Sequence, residues 1–356
     1  MRLNLSSQIV FNTVPEEFYN PKTAVERSEI TRDEHILTDI YPTVDEGAQK
    51  IADAIVAEIK AKELLGKYCV LGVGTGQSLT PVFNELIDRY EKKLVSFKNV
   101  VIFNAYEFFP LAADSQHSTI SQLRQRLLSH IDIPEQNVYT LDGTIAQEDV
   151  QSQCRLYEQR IQTFGGIDVM LLGVGRMGNI AANEPGSSLA SQSRIILIDQ
   201  TAREEMSNSF GTLDQVPPCS ITMGVHTLLS AHKMFLTAWG EEKSDVVQKI
   251  VEGGITDTVP ASFVQTHNDA KFVIDLAAAS KLTRIVHPWL VTNCEWTDKT
   301  IRAAVVWLCQ LVKKPILKLT NKDYNENGLS DLLALFGSAY NCNIKIFNDL
   351  QHTITG

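Results

Sequence analysis

The sequence predicts an α/β protein, a mostly parallel doubly wound sheet with helices on both faces. Five short apolar runs, 67–73, 99–103, 168–174, 233–238 and 270–275, are continuous rather than alternating, as in strands covered on both sides. Segments with helical spacing lie between them, the order that builds a parallel sheet. Two of the runs end in glycine-rich turns, and the carboxyl edge of such a sheet is where ligands bind.

Residues 1–42 are polar and broken by Pro15, Pro21 and Pro42, which predicts an N-terminal arm with one short helix. In 44–62, Ile51, Ile55 and Ile59 recur at helical spacing between charges, an amphipathic helix. The strand at 67–73 runs into Gly72-Val-Gly-Thr-Gly-Gln-Ser78, followed by a helix to about residue 89. The strand at 99–103 leads into Asn104-Ala-Tyr-Glu-Phe-Phe-Pro-Leu111, and 115–129 reads as a helix. A short strand at 138–140 and a charged helix at 147–164, ended by Gly165-Gly166, come next. After the strand at 168–174 come a strand at 193–198, a helix at 201–209, and 220–225 leading into a short helix. The strand at 233–238 is followed by a helix to about residue 251, and 270–275 is the last strand of this domain. Beyond it the pattern predicts a helix at 299–312, then strand 315–319, helix 329–339 and strand 343–347. The expected organisation is therefore an arm at 1–42, a ligand-binding domain at 43–282, and a strand–helix–strand α/β extension at 283–356.

Bulk composition excludes several functions. The 356 residues are 44% hydrophobic with a net charge of −10, enough apolar chain for a large core but too acidic for nucleic acid or an anionic membrane. Any phosphate site must be local, made of backbone N–H groups and one or two cations. No apolar run approaches the roughly 18 residues of a transmembrane helix, and the N-terminus lacks a signal-peptide core. The six cysteines are dispersed without a C-x-x-C pair, which predicts reduced core thiols of a cytoplasmic protein and neither a metal site nor a cofactor.

Two stretches carry the chemistry. A strand, a Gly/Ser/Thr turn and a helix at 67–89 form an anion-site recipe, because small residues let helix-end N–H groups approach a phosphate. Taken alone, that turn fits a plain tight turn equally well. The second stretch, Leu171-Leu-Gly-Val-Gly-Arg-Met-Gly-Asn-Ile-Ala-Ala-Asn-Glu-Pro-Gly-Ser-Ser188, is a buried strand breaking into a glycine-rich loop that carries Asn179, Asn183 and Glu184.

This second stretch resembles the signature loop of glucosamine-6-phosphate deaminases, G-x-G-x-D-G-H-I-A-F-N-E-P-x-S-S. It matches at Gly173, Gly175, Gly178, Ile180, Ala181, Asn183, Glu184, Pro185, Ser187 and Ser188. The resemblance covers about residues 35–282 and implies a small-molecule sugar phosphate as ligand. It places phosphate contacts at Thr75, Gly76, Gln77 and Ser78, where the family carries T-G-G-[ST], and at Lys243, in the family's G-x-x-K pattern. Gln77, replacing a glycine, either crowds the phosphate or hydrogen-bonds the ligand. The family's phosphate-clamping arginine falls at Asn208 or a neighbour.

Of the family's acid–base groups only Glu184 is kept. Tyr106 stands for the aspartate that moves a proton between C1 and C2, Met177 for the loop aspartate and Asn179 for the loop histidine. Glu107 is the carboxylate nearest Tyr106. In an extended backbone it points the other way, and in a loop it can substitute. Three such replacements argue against the standard mechanism, since each tuned acid–base group is worth roughly 10²–10⁴-fold. The open readings are a deaminase with a rearranged site (Glu184, Tyr106, Glu107 and Asn179), a sugar-phosphate-binding or regulatory module, and, more weakly, a sugar-lactone hydrolase. The resemblance also implies a homo-oligomer and a longer fused form in which a deacetylase-like half follows.

Overall fold

The computed structural model describes residues 14–355. Two compact units divide them, one made of 34–281 and the other of 14–33 with 282–355.

The larger unit contains ten strands: β1 (Leu37–Tyr41), β2 (Cys69–Val73), β3 (Val100–Asn104), β4 (Tyr106–Phe109), β5 (Val138–Tyr139), β6 (Val169–Gly173), β7 (Arg194–Leu197), β8 (Cys219–Thr222), β9 (Lys233–Ala238) and β10 (Ala270–Asp275). Seven form one parallel sheet in the order β1-β10-β9-β6-β2-β3-β5, with helices around it. From β2 the chain winds outward through β3 to β5. It then returns to β6, on the other side of β2, and winds outward through β9 to β10. The winding reverses between β2 and β6, so their two outgoing loops diverge and leave a crevice at their carboxyl ends. Those loops are the two stretches singled out in the sequence.

The expected strands form because their apolar runs are buried on both sides; every residue of β2 and β3 is buried. Helix Val44–Leu64 is capped by the Thr43 hydroxyl, which accepts from the Glu46 N–H, and buries Ile51, Ile55 and Ile59. Helix Thr80–Glu91 adds Val82, Phe83 and Leu86 to the same core.

Three features depart from expectation. First, 193–198 and 220–225 do not join the main sheet. The antiparallel order β4-β8-β7 makes a second sheet that begins at Tyr106. Second, the 1–42 arm is more structured than its prolines suggested, over the part that is described; residues 1–13 lie outside it. Helix Ala24–Ile30 has a reciprocal capping box between Thr23 and Glu26, and β1 pairs with β10, burying Ile36, Thr38 and Ile40 by alternation.

Third, the described residues of the C-terminal extension hold no strand. The run at 315–319 is a 3-10 turn, Ile316–Lys318, between Pro315 and the capping box of Thr320 and Asp323. The run at 343–347 lies inside helix Ala339–Thr355. The alternating Ile-Lys-Ile looked like a strand, but burial follows Ala339, Cys342, Asn343 and Ile346, the 3- and 4-residue spacing of a helix face. That face packs with Ile301, Val305 and Leu308 of helix Asp298–Val312 and with Trp289, Tyr324 and Leu332, making an all-helical core. Among the described residues no helix is long and apolar enough to cross a membrane.

Candidate active site

The crevice between the β2 and β6 loops opens into two connected lobes. The smaller, of about 430 Å³, is lined by residues 74–78, by the end of β6, and by Trp239 and Lys243. The larger, of about 660 Å³, is lined by Met177, Glu184, Ile198, Asp199, Glu205 and Met206 among others. Tyr106, Gly175, Asn179, Ala181 and Lys243 border both.

The small lobe is shaped by close backbone approach. The Gly74 N–H donates to the Leu171 carbonyl at 2.9 Å, tying the turn to the neighbouring strand. Ser78 lies directly over Gly173, where a Cβ would stand 2.1 Å from its hydroxyl, so a side chain there would force Ser78 to turn away. The Trp239 Nε1–H donates to the Ser78 carbonyl at 2.7 Å. Thr75 is buried, while Gly76 and Gln77 are exposed at the mouth.

Lys243 arrives from the end of β9. Gly240, at φ +87°, makes a turn open mainly to glycine, and its N–H donates to the Asp275 carboxylate at 3.0 Å. That turn puts Lys243 at the N-cap of helix Ser244–Val251, with Nζ donating to the Val174 carbonyl at 3.0 Å. Burial pulls its pKa below the ordinary lysine value, against the opposing pull of Glu242.

In the larger lobe, Glu184 is partly buried, and burial followed by the nearby Asp199 pushes its pKa above that of an ordinary glutamate. Its loop is pinned from beneath. Fully buried Asn183 donates through Nδ2 to the carbonyls of Ile180 and Met223 at 3.1 and 2.9 Å. Its Oδ1 accepts from Arg194, which also donates to the Ser187 hydroxyl at 3.0 Å. The Ala182 N–H donates to Thr222 Oγ1 at 3.2 Å. The loop asparagine and the Thr222-Met-Gly224 element thus hold Glu184 in place.

Tyr106 begins β4, with its hydroxyl 3.5 Å from Thr75 Oγ1. Burial raises its pKa, Thr75 lowers it and Glu107 raises it. Asn179 borders both lobes; the Gly175 N–H donates to its carbonyl at 3.0 Å. Met177 is 61% exposed on the wall of the larger lobe.

Two expected site residues lie elsewhere. Glu107 alternates away from Tyr106 along the extended β4 and lines neither lobe. Its carboxylate accepts from the N–H groups of Phe108, Thr119 and Ile120 and from the hydroxyls of Ser118 and Thr119, all at 2.8–3.1 Å. It anchors the start of helix Thr119–Arg126 and has no free face for a substrate. Asn208 is exposed on helix Gln200–Phe210, whose cavity-facing positions are Thr201, Ala202, Glu205 and Met206. At about 100° per residue, Asn208 sits roughly a quarter of a turn from the middle of that face. The sequence reading missed Asp199, which borders Glu184, and Trp239, which braces Ser78. Neither belongs to a motif, and only the fold brings them in.

A parallel sheet with a glycine-lined crevice at its winding reversal, bordered by the cations Lys243 and Arg176 and by a carboxylate of raised pKa, defines an α/β ligand-binding scaffold. The family of glucosamine-6-phosphate isomerases/6-phosphogluconolactonase matches residues 42–273, and the chain belongs to it. A Bacteroides thetaiotaomicron protein described as a putative glucosamine-6-phosphate deaminase-like protein is 58% identical over the whole chain. The chain spans only 54% of that relative. A glucosamine-6-phosphate deaminase of Geobacillus sp. strain WCH70 is 35% identical over 66% of this chain and 92% of its own. Among solved structures, a monomeric glucosamine-6-phosphate deaminase superposes with a TM-score of 0.65 at 31% identity, over 69% of this chain and 99% of its own. The 6-phosphogluconolactonase of Trypanosoma brucei, at TM-score 0.58 and 20% identity over 69% of this chain and 98% of its own, shares the fold.

Proposed function

We propose that the chain binds an amino-hexose phosphate and converts it to a keto-hexose phosphate and ammonia. The phosphate sits in the small lobe on residues 75–78 and Lys243, and the C1–C2 end lies in the larger lobe beside Glu184 and Tyr106. The deaminases among the relatives support this substrate class. The observation that carries the reading is Glu184, a carboxylate with a raised pKa in the cavity that adjoins an anion turn. A raised pKa suits a group that must both hold and release a proton near neutrality.

The chemistry needs an open-chain sugar. A base removes the C2 proton and the proton is returned at C1, which leaves a C2 imine. Water adds to that imine and the amine leaves as ammonia. In this reading Glu184 carries the protons, and Tyr106, hydrogen-bonded to Thr75, orients or assists.

A second reading, a sugar-phosphate-binding or regulatory module without turnover, is favoured by Met177 and Asn179, which cannot relay protons. Lactone hydrolysis is supported by the shared fold and by the lactonases in the same family, and the Asn183-Glu-Pro element opposes it. Within the first two readings the protein assembles as a homo-oligomer and works beside a deacetylase-like domain, fused or separate, as the resemblance implies.

Ammonia release from glucosamine-6-phosphate, with calorimetry of the same ligand, separates these readings. Turnover abolished by Glu184→Gln supports the deaminase. Binding without ammonia supports the module. Neither binding nor ammonia overturns both.

A further inference from the structure

We propose that Arg126 is the second cation of the anion site, a positioning residue that sets the 75–80 turn and supplies positive charge from behind it. The proposal rests on the phosphate reading of the small lobe.

Arg126 is the last residue of helix Thr119–Arg126 and is half-buried. Its Nη2 donates to the Thr75 carbonyl at 2.5 Å and to Gln122 Oε1 at 2.7 Å, and its Nη1 donates to Thr80 Oγ1 at 3.3 Å. It therefore grips both ends of the turn. A trans peptide points its C=O and the following N–H in opposite directions. With the Thr75 carbonyl drawn back onto the guanidinium, the Gly76 N–H faces away from it, on the side of the lobe that Gly76 lines.

All of these acceptors are neutral, and among the described residues no ion pair joins Arg126 to a carboxylate. Arg89, by contrast, is held by Asp53 and Glu85. A desolvated charge normally has a counter-ion, and burial presses the Arg126 pKa down. The group that completes it is an anion on the other side of the turn. The same positive charge also favours ionisation of Tyr106. The family's phosphate arginine falls on the exposed Asn208, so a cation from a different helix takes over the charge.

The plainer account is that Arg126 only satisfies the C-terminal carbonyls of its helix. Arg124, in the same helical turn and paired with Glu135, serves as the control. The test measures binding of inorganic phosphate, glucosamine-6-phosphate and glucosamine to wild type, Arg126→Gln, Arg126→Lys and Arg124→Gln. Arg126→Gln is expected to weaken both phosphates by roughly tenfold or more and to leave glucosamine unchanged. Arg126→Lys is expected to recover much of the loss, and Arg124→Gln to match wild type.

Equal weakening of all three ligands, no rescue by lysine, or a like effect at Arg124 would mean a structural role and overturn the proposal. Glucosamine-6-phosphate bound equally by wild type and Arg126→Gln overturns the cation and leaves the functional reading standing. Inorganic phosphate bound through Arg126 while glucosamine-6-phosphate fails to bind does the reverse. No phosphate binding by wild type overturns both.

Discussion

The two lobes of the crevice differ in what builds them. The small lobe is made largely of backbone: a glycine turn, an N–H tied to the neighbouring strand's carbonyl, and one lysine delivered by a positive-φ glycine. The larger lobe is made of side chains on a loop and an exposed helix, among them Met177 and Asn179, which carry no titratable group. A backbone-built site changes only when a glycine or the fold changes. A site made of side chains can lose its chemistry one residue at a time while the scaffold persists. Under the proposed function, the difference means that binding and turnover can separate.

Three substitutions and a pH series probe that contrast. The largest expected effect is Glu184→Gln, a loss of roughly 10²–10⁴-fold in ammonia release with ligand affinity largely kept. A loss of binding equal to the loss of rate would mean the lobes do not act separately. Next, Lys243→Met should weaken phosphate-ligand binding by roughly 10–100-fold while leaving the unphosphorylated sugar unaffected, as calorimetry would show. Third, Glu107→Gln should lower stability by about 1–3 kcal/mol, because buried N–H and hydroxyl donors lose their acceptor. Denaturant unfolding measures that loss, and an unchanged pH–rate profile would confirm that Glu107 is structural.

The smallest effect is a pH dependence of stability. Burial raises the folded pKa of Glu184 above its unfolded value, so its favourable contribution is present below the unfolded pKa. It is lost as pH rises through the folded pKa. Melting temperatures should therefore show Glu184→Gln more stable than wild type at neutral pH, with the gap closing in acid. A substitution that removes activity and adds stability would mark Glu184 as a site residue, whereas Glu107→Gln should do the opposite.

Much of the fold was legible because its signals are local. Continuous apolar runs marked all five central strands of the large unit, and glycines at 173–178 and 72–76 marked the crevice. Other features were not legible. A run of five residues such as 343–347 carries too short a pattern to separate period 2 from the 3- and 4-residue spacing that buries Cys342 and Ile346. The orientation of Glu107 hung on whether 105–107 is extended, which pairing with β8 decides. Arg126, about 50 residues from Thr75 along the chain, belongs to no motif.

By itself the sequence determined the family, the parallel sheet and the two glycine loops, because these are written in residue types at fixed spacing. Tertiary structure alone decided which groups face the crevice. It turned Glu107 inward to a helix start, left Asn208 in solvent, set Asp199 beside Glu184 and brought Arg126 behind the anion turn. The physical reason is that exposure, pKa and hydrogen-bond partners depend on what is near in space, and the winding of the sheet brings together segments far apart in the chain.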